Sequence, residues 1–143
     1  MPSPVTNSPG SDKYEQRALI LVVERNPIVR RLERFFLEQA GFGVEFTEDG
    51  VSALARAQEL KPRIVVTEIL VPKLDGLSLC RKLKENSATK NILVMIFSHL
   101  QADDRALEAG ADAFLLKPLD EELLMSTLER LLAVQKQSAG EGT

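Results

Sequence analysis

Short runs of apolar residues alternate along the chain with longer stretches in which apolar residues return at helical spacing. Four of the runs are almost continuously apolar or β-branched, which is typical of strands buried on both faces. A fifth run alternates apolar with polar residues, as expected of a strand near the edge of a sheet. The predicted strands are Ala18–Val23, Gly43–Thr47, Ile64–Thr67, Asn91–Phe97 and Ala113–Leu116.

The first helix begins shortly after the first strand. Asn26 can cap it, Pro27 can occupy its first position, and Gly41 ends it. Apolar residues within this stretch recur at helical spacing, so we expect them to form the stripe that faces the core. The expected core stripe consists of Ile28, Leu32, Phe35, Phe36 and Ala40, and the expected solvated face carries Arg30, Arg31 and Arg34.

Four further helices complete the pattern. Residues 51–60 form the second helix, which ends before Pro62. Asp75 can cap the third and Asp120 the last, whereas residues 101–109 have room only for a short fourth helix. Strands that alternate with helices predict an α/β domain with a doubly wound parallel sheet, because right-handed crossovers place helices on both faces.

The composition is that of an ordinary globular domain, with 143 residues, 44% hydrophobic and 27% charged. A net charge of −3 provides no basic footprint for nucleic acid, and there is no 18-residue apolar run to span a membrane. The single Cys80 is expected to fill a buried apolar position and suits a reducing, cytoplasmic compartment. The predicted domain spans residues 17–134, between flexible polar tails at 1–16 and 135–143.

Chemically active side chains follow four of the predicted strands. Glu24 follows the first strand, Glu68 the third, Ser98 the fourth and Lys117 the fifth. In an open parallel sheet the carboxyl ends of the strands lie at one edge, where ligands bind. We therefore expect these four side chains to converge on one site. Glu68 in particular needs an explanation, because a carboxylate at the end of a buried strand does not serve packing.

Several short motifs lie at or near the predicted strand ends: Leu21–Pro27, Glu48–Gly50, Glu68 with Pro72, Asp75 and Gly76, Ser98, Ala109–Asp112, and Lys117 with Pro118. Taken together, they resemble the receiver domain of two-component response regulators, including the chemotaxis-type single-domain receivers. The resemblance covers residues 17–134. It implies a flavodoxin-like (βα)5 three-layer sandwich with sheet order 2-1-3-4-5.

The resemblance also implies roles for the site positions. In the family, an aspartate at the position of Glu68 accepts a phosphoryl group from a histidine kinase. Two acids at the positions of Glu24 and Arg25 help to hold Mg²⁺, and a lysine at the position of Lys117 pairs with the phosphoryl group. These residue types suit in-line phosphoryl transfer, which depends mainly on positioning and charge neutralisation.

Two other positions register the signal in the family. A hydroxyl at the position of Ser98 bonds an oxygen of the phosphoryl group, and the rotamer of an aromatic at the position of Phe114 follows that event. The span between these residues is shorter here by about one helical turn. We therefore expect a stunted fourth helix and a changed docking surface.

The chain departs from the family pattern at its centre. Glu68 carries its carboxylate roughly 1.5 Å beyond the place of an aspartate, and a misplacement of about 1 Å can cost on the order of a hundredfold in rate. Arg25 replaces the second acid. The formal charges of Glu24, Arg25, Glu68 and Lys117 then cancel, so we expect Arg25 to pair with Glu24 or Glu68 in a metal-free cluster. Mg²⁺ would retain only Glu24 and Glu68 as ligands and is disfavoured. The alternative is a solvated, inert remnant of the site.

Three function classes remain open. The favoured one is a non-enzymatic pseudo-receiver in a bacterial-type phosphorelay, a monomer or weak homodimer that binds a histidine kinase or a downstream effector. The alternative is a working receiver that accepts phosphate on Glu68, and a related hypothesis is that Glu68 reaches Lys117 and mimics the phosphorylated state. A flavin-binding protein is disfavoured, because Glu24–Pro27 is not a phosphate-cradling loop rich in Ser, Thr and Gly.

Overall fold

The structure is a computed structural model that describes the backbone of residues 17–141 and the side chains of residues 17–135. Five strands alternate with five helices. The strands are β1 (Leu19–Val23), β2 (Gly43–Thr47), β3 (Ile64–Thr67), β4 (Leu93–Ser98) and β5 (Ala113–Leu116). The helices are α1 (Pro27–Gln39), α2 (Gly50–Leu60), α3 (Gly76–Glu85), α4 (Asp103–Glu108) and α5 (Glu121–Glu141).

All five strands are parallel, in the order β2-β1-β3-β4-β5. Val23, the last residue of β1, is level with the last residues of both neighbours, Thr47 of β2 and Thr67 of β3. Strand β4 extends two residues beyond Ile96, which is the partner of Thr67. The predicted fold class and sheet order are confirmed, and the strand ends lie together at one edge.

The sheet separates two hydrophobic cores. Successive residues of β1 point to opposite faces, so Leu21 joins the core beneath α2, α3 and α4, while Ile20 and Val22 join the core beneath α1 and α5. All three are fully buried, which explains the continuous apolar run. Cys80 is fully buried in the first of these cores, as predicted.

The first turn of α1 forms as the sequence predicts. The Asn26 side-chain Oδ1 accepts hydrogen bonds from the backbone amides of Ile28, at 2.9 Å, and Val29, at 3.3 Å. Pro27 occupies the first helical position, where its missing N–H costs nothing. Gly41, just beyond the helix, adopts a positive φ of 95° that suits a glycine after a helix end.

The predicted core stripe of α1 is wrong for Ile28, Leu32 and Phe35, although Ala40 packs against the core as predicted. Ile28, Phe35 and Leu32 are 69%, 58% and 42% exposed, whereas the helix buries Glu33 and Leu37 against the sheet. Helical spacing identifies residues that share a face, but it does not determine which face of a broadly apolar helix turns toward the sheet. The α1 helix presents part of its apolar surface to solvent.

Side-chain caps begin three other helices. Asp75 accepts from Ser78 N at 2.9 Å, and Asp120 accepts from Leu123 N at 3.1 Å, as predicted. Asp49 caps α2 through Ser52 N at 2.7 Å, a role that the sequence analysis did not assign. Gly50 opens this helix one residue before the predicted start, and it is so closely packed that a Cβ on it would overlap the Leu74 carbonyl.

Helix α4 is as short as predicted, whereas helix α5 runs further than predicted. Helix α4 has only six residues, in agreement with the predicted short helix. Helix α5 continues to Glu141, beyond Val134, where the sequence analysis ends the domain, and Gln135 Oε1 accepts a 2.7 Å hydrogen bond from Arg63. The predicted N-terminal tail, residues 1–16, lies outside the described residues. None of the described helices is long and apolar enough to cross a membrane.

Candidate functional site

The ends of the strands bring two carboxylates and one ammonium group together. Lys117 Nζ lies 2.8 Å from Glu24 Oε1 and 3.0 Å from Glu68 Oε2. All three side chains are largely withdrawn from solvent: Glu24 and Glu68 are 3% and 4% exposed, and the side chain of Lys117 is 13% exposed. The predicted convergence is confirmed, as is the Glu68–Lys117 contact that the mimic hypothesis requires.

The sheet itself fixes the backbone of each of these residues. Glu24 N donates to Thr47 O at 3.0 Å, Glu68 N donates to Val23 O at 3.1 Å, and Lys117 N donates to Ser98 O at 2.8 Å. The ladder of backbone hydrogen bonds therefore continues one residue past each strand. Because the three residues are held by neighbouring strands, their side chains start from fixed positions.

Backbone amides hold the second oxygen of each carboxylate. Glu68 Oε1 accepts from Ile69 N at 2.6 Å and from Leu70 N at 3.4 Å. Glu24 Oε2 accepts from Asn26 N at 3.1 Å. The Lys117 ammonium donates a directed hydrogen bond to Glu24, whereas its contact with Glu68 is an ion pair without that alignment. Lys117 thus bridges two carboxylates that are already oriented by the backbone.

These contacts keep both Glu68 and Lys117 charged. Burial alone would raise the pKa of Glu68, but polar contacts with Ser98, Lys117 and the Ile69 amide lower it below its usual value. Burial would lower the pKa of Lys117, but its contacts with Glu24 and Glu68 raise it. Glu68 and Lys117 therefore form an ionised pair rather than two neutral buried groups.

Ser98 and His99 border the Glu68 carboxylate. Ser98 is fully buried, and its Oγ accepts from Leu100 N at 3.1 Å. His99 Nδ1 lies 3.4 Å from Glu68 Oε2 at the solvent-facing side of the cluster. His99 was not among the predicted site residues, although it directly follows Ser98 at the end of β4 and so lies at the same edge of the sheet.

Arg25 does not form the ion pair that the sequence analysis expects. Its side chain is exposed, and no ion pair joins it to Glu24 or Glu68 among the described side chains. Successive side chains of an extended segment point in opposite directions, so burying Glu24 turns Arg25 outward. Lys117 supplies the cation instead. The arginine that approaches Glu24 is Arg30, whose Nη1 lies 3.4 Å from the Glu24 backbone carbonyl.

A third buried carboxyl lies near the cluster but outside it. Glu33 of α1 is 2% exposed, and its Oε1 has no hydrogen-bond partner among the described residues. Burial raises the pKa of Glu33 to about 8, the negative charge of Glu24 adds to the rise, and Lys117 opposes it. Glu33 was not among the predicted site residues. The available signal was its position four residues from both Val29 and Leu37, on one side of the helix.

The acidic groups of this edge do not amount to a metal cage. Within the described residues, no three His, Cys, Asp or Glu side chains are grouped so that they could hold a metal ion. Among the side chains of residues 17–135, Glu24 and Glu68 are the two carboxylates that meet at Lys117.

Comparison with known protein families identifies the fold just described. The family model for the response regulator receiver domain matches residues 20–129. The chain belongs to this family. The five-stranded parallel sheet of this receiver domain is therefore the family fold, and Glu68 directly follows its central strand, β3.

Relatives of this receiver domain come from several bacterial signalling proteins. A gliding motility regulatory protein of Myxococcus xanthus is 37% identical over 135 residues, which make up 92% of this chain and 17% of that protein. The solved receiver domain of a signal transduction histidine kinase from Syntrophus aciditrophicus is 32% identical, with a TM-score of 0.76, over 82% of this chain and 91% of that one. The chain spans about half the length, or less, of the curated relatives it matches.

One structural relative was solved with a cation. The receiver domain of a sensor histidine kinase from Pseudomonas aeruginosa PAO1 has a magnesium ion coordinated in its active site cleft. It is 25% identical, with a TM-score of 0.75, over 81% of this chain and 98% of that one. The two domains share a fold, so differences in the side chains of this edge become the relevant comparison.

Phe114 lies in β5, the strand that leads to Lys117, and away from the carboxylate cluster. It pairs with Ile96 in the register of β4 and β5, is half-buried, and packs against the core beneath α2, α3 and α4. Leu116, two residues further along β5, is 43% exposed. The family role of the aromatic position remains a prediction for Phe114.

Proposed function

We propose that this receiver domain is a cytoplasmic, non-enzymatic interaction module of two-component signalling that works without magnesium-dependent phosphorylation of its acceptor position. Its partner would be a histidine kinase or a downstream effector. The observation that carries the proposal is the position of Lys117, whose ammonium lies 2.8 Å from Glu24 and 3.0 Å from Glu68. An internal cation thus already pairs with both carboxylates on which a phosphorylation site would depend.

The donor set fits Mg²⁺ poorly. Mg²⁺ requires near-octahedral oxygen ligation and gives up its water reluctantly. In Glu24 and in Glu68, one oxygen accepts from backbone amides and the other faces Lys117. An ion would have to displace the ammonium from both carboxylates. The third family position holds Arg25, which adds positive charge near the site instead of an oxygen ligand.

The acceptor geometry also differs from that of an aspartyl receiver. The side chain of Glu68 is one methylene longer than aspartate, and its Oε1 is held at 2.6 Å by Ile69 N. The position of the reacting oxygen matters because a displacement of about 1 Å can cost on the order of a hundredfold in rate. Phosphoryl transfer relies on positioning and on cationic neutralisation, and both are altered here.

Mass spectrometry after treatment with an acyl-phosphate donor and Mg²⁺ tests the proposal. We expect no gain of one phosphate in the unchanged protein. The matched control is the double variant Arg25→Asp with Glu68→Asp, which restores both acids of the family pattern and should gain one phosphate at residue 68. A phosphate mapped to Glu68 of the unchanged protein would contradict the proposal and establish the alternative of a working receiver.

The Glu68–Lys117 contact favours a second candidate, in which Glu68 holds the domain in the phosphorylated conformation. Amide NMR spectra of the unchanged protein can be compared with those of the double variant before and after phosphorylation. If Glu68 is a mimic, the amides around Ser98 and Phe114 should match the phosphorylated spectrum. A match to the unphosphorylated spectrum rejects this candidate and leaves the interaction module intact.

A further inference from the structure

Glu33 is an acidic residue in an apolar part of the fold. It lies four residues from both Val29 and Leu37, on the side of α1 that packs in the core beneath α1 and α5. The residue is 2% exposed, and its Oε1 has no hydrogen-bond partner among the described residues. Burying an ionised carboxylate without a partner is costly, so this position favours the protonated form. The α1 helix therefore carries a titratable group into the core.

The charged groups that act on Glu33 belong to the cluster at the strand ends. Burial is the largest cause of the rise in the pKa of Glu33 to about 8. The negative charges of Glu24 and Glu68 raise this pKa further, and the positive charge of Lys117 lowers it. No ion pair joins Glu33 to these groups within residues 17–135, so they act on it through space.

The other elements around α1 direct their charged side chains elsewhere. The buried residues of α5 are uncharged: Leu124, Thr127, Leu128 and Leu131. Its charged residues with described side chains are all exposed: Glu121, Glu122, Glu129 and Arg130. Around β2 and on α1, charged residues form the ion pairs Glu45–Arg56, Arg30–Glu48 and Arg34–Glu38, and Arg31 is exposed. Within the part of the chain that the structure describes, the strand-end cluster is thus the charged surrounding of Glu33.

Lys117 is the member of the cluster whose contacts can respond to Glu33. It donates a directed hydrogen bond to Glu24 at 2.8 Å, whereas its 3.0 Å contact with Glu68 Oε2 lacks that alignment. The contact with Glu68 is therefore the weaker half of the bridge. A new negative charge at Glu33 would attract the ammonium in a poorly solvated region, and the weaker contact would be lost first.

We propose that Glu33 is a proton switch for the Lys117 bridge. With the proton on Glu33, the residue is neutral and Lys117 spans Glu24 and Glu68. Release of that proton to solvent charges Glu33, draws Lys117 away from Glu68 and frees the Glu68 carboxylate at the sheet edge. The inference rests on the proposed function, because it describes regulation of the same internally paired site.

The coupling is reciprocal, because charges that change proton binding at Glu33 are themselves affected by that proton. Glu24→Gln and Glu68→Gln each remove a negative charge and should lower the pKa of Glu33, with the larger decrease for Glu24→Gln. Lys117→Met removes the opposing positive charge and should raise it. Arg31→Gln changes an exposed side chain of the same helix and serves as the matched control.

NMR across a pH titration tests the switch, with the carboxyl ¹³C signals of the glutamates and the ¹³Cε signal of Lys117 as readouts. We expect the Glu33 carboxyl to titrate with a midpoint near pH 8. The Glu68 and Lys117 signals should change with the same midpoint. The pKa of Lys117 is raised above its ordinary value of 10.5, so its own deprotonation does not produce this change.

Variants at Glu33 show whether that residue causes the change. The response of Glu68 and Lys117 near pH 8 should vanish in Glu33→Gln and also in Glu33→Leu, which keeps the position filled by an apolar side chain. It should persist in Glu38→Gln, which removes an exposed carboxylate from the same helix. The titration is repeated in His99→Gln, because His99 Nδ1 lies 3.4 Å from Glu68 Oε2 and its protonation would also move the Glu68 signal.

Three results would overturn the inference. The first is a Glu33 carboxyl that titrates near the ordinary value of 4.5. The second is a response of Glu68 and Lys117 that is absent from the unchanged protein or survives in both Glu33 variants. The third is a Glu33 midpoint that the charge variants of the cluster do not move. These readouts need no phosphate donor, whereas the proposed function fails if Glu68 of the unchanged protein gains phosphate, so the two failures are distinguishable.

Discussion

Two kinds of buried carboxyl lie within a short distance of each other in this receiver domain. Glu24 and Glu68 are 3% and 4% exposed, and Glu33 is 2% exposed, so burial does not distinguish them. Their partners do. Glu24 and Glu68 share Lys117 and accept backbone hydrogen bonds, while Glu33 Oε1 has no partner among the described residues. The charge state of a buried carboxyl is thus decided by what surrounds it.

The difference gives the carboxyls opposite pH dependences. The pKa of Glu68 lies below its ordinary value of 4.5, so its stabilising contribution is present above pH 4.5 and is lost as the pH falls through the folded-state pKa. The pKa of Glu33 rises from 4.5 to about 8. The fold therefore loses stability at this residue as the pH rises from 4.5 to about 8, because the unfolded chain releases the proton more readily.

Replacing Lys117, the bridging cation, should have the largest effect on stability. Lys117→Met leaves the buried carboxylates of Glu24 and Glu68 without their shared partner, and breaking a buried ion pair in this way costs about 3–5 kcal/mol. Urea unfolding at pH 7 measures the loss. The control Lys82→Met changes an exposed lysine of α3 and should alter stability by less than about 0.5 kcal/mol. Equal losses in the two variants would show that Lys117 does not support the carboxylates.

Neutralising the unpartnered carboxyl of Glu33 should have the opposite effect and stabilise the fold. Glu33→Gln removes the cost of ionising Glu33, so its advantage over the unchanged protein should grow by roughly 1.4 kcal/mol per pH unit within the window from 4.5 to about 8. Unfolding curves at pH 5, 6, 7 and 8 give the slope. Glu38→Gln, on the exposed side of the same helix, is the control for loss of a carboxylate from α1. A pH-independent difference for Glu33→Gln would mean that Glu33 titrates like an exposed glutamate.

Removing the charge of Glu68 should have an intermediate effect. Glu68→Gln loses charge-assisted contacts with Lys117 and with Ile69 N, and hydrogen bonds to charged groups contribute about 1.5–3 kcal/mol. At pH 7 the free energy of unfolding of Glu68→Gln should be lower than that of the unchanged protein. This difference should shrink as the pH falls below 4.5, where Glu68 takes up its proton. Acid titrations followed by circular dichroism measure this, and a difference that widens on acidification would contradict the sign of the pKa shift.

Changing Arg25 should have the smallest effect. Arg25→Ala removes an exposed side chain with no ion pair among the described residues, so stability should stay within about 0.5 kcal/mol of the unchanged protein. Urea unfolding in low salt, where surface electrostatics are strongest, is the most demanding condition. A loss comparable to that of Lys117→Met would restore the arginine-centred cluster that the sequence analysis favours.

The fold and the convergence of the site follow from the sequence because they depend on local signals. Continuous apolar runs specify buried strands, and parallel strands place their ends at one edge, so Glu24, Glu68 and Lys117 had to meet. Which cation bridges the two carboxylates depends on side-chain direction. Arg25 and Lys117 carry the same charge, and only the packed structure turns one outward and the other inward.

The face of α1 could not be predicted for a related reason. Ile28, Leu32 and Phe35 repeat as regularly as a core stripe, but the sheet and α5 select the neighbouring face with Leu37. The same choice buries Glu33, an acidic residue that a periodicity argument assigns to solvent. A helix that is apolar over much of its circumference carries two plausible buried faces, and tertiary packing decides between them.

The bridge that Lys117 forms between Glu24 and Glu68 is the central claim, and a Mg²⁺ titration followed by carboxyl ¹³C NMR of the glutamates tests it most directly. In the unchanged protein the Glu24 and Glu68 carboxyl shifts should remain unchanged through millimolar Mg²⁺ at pH 7, while Glu24 of the double variant Arg25→Asp with Glu68→Asp, which adds a third acid to the site, should show a saturable response. Saturable shifts of both Glu24 and Glu68 in the unchanged protein would mean that a divalent ion displaces Lys117, and that result would contradict the account.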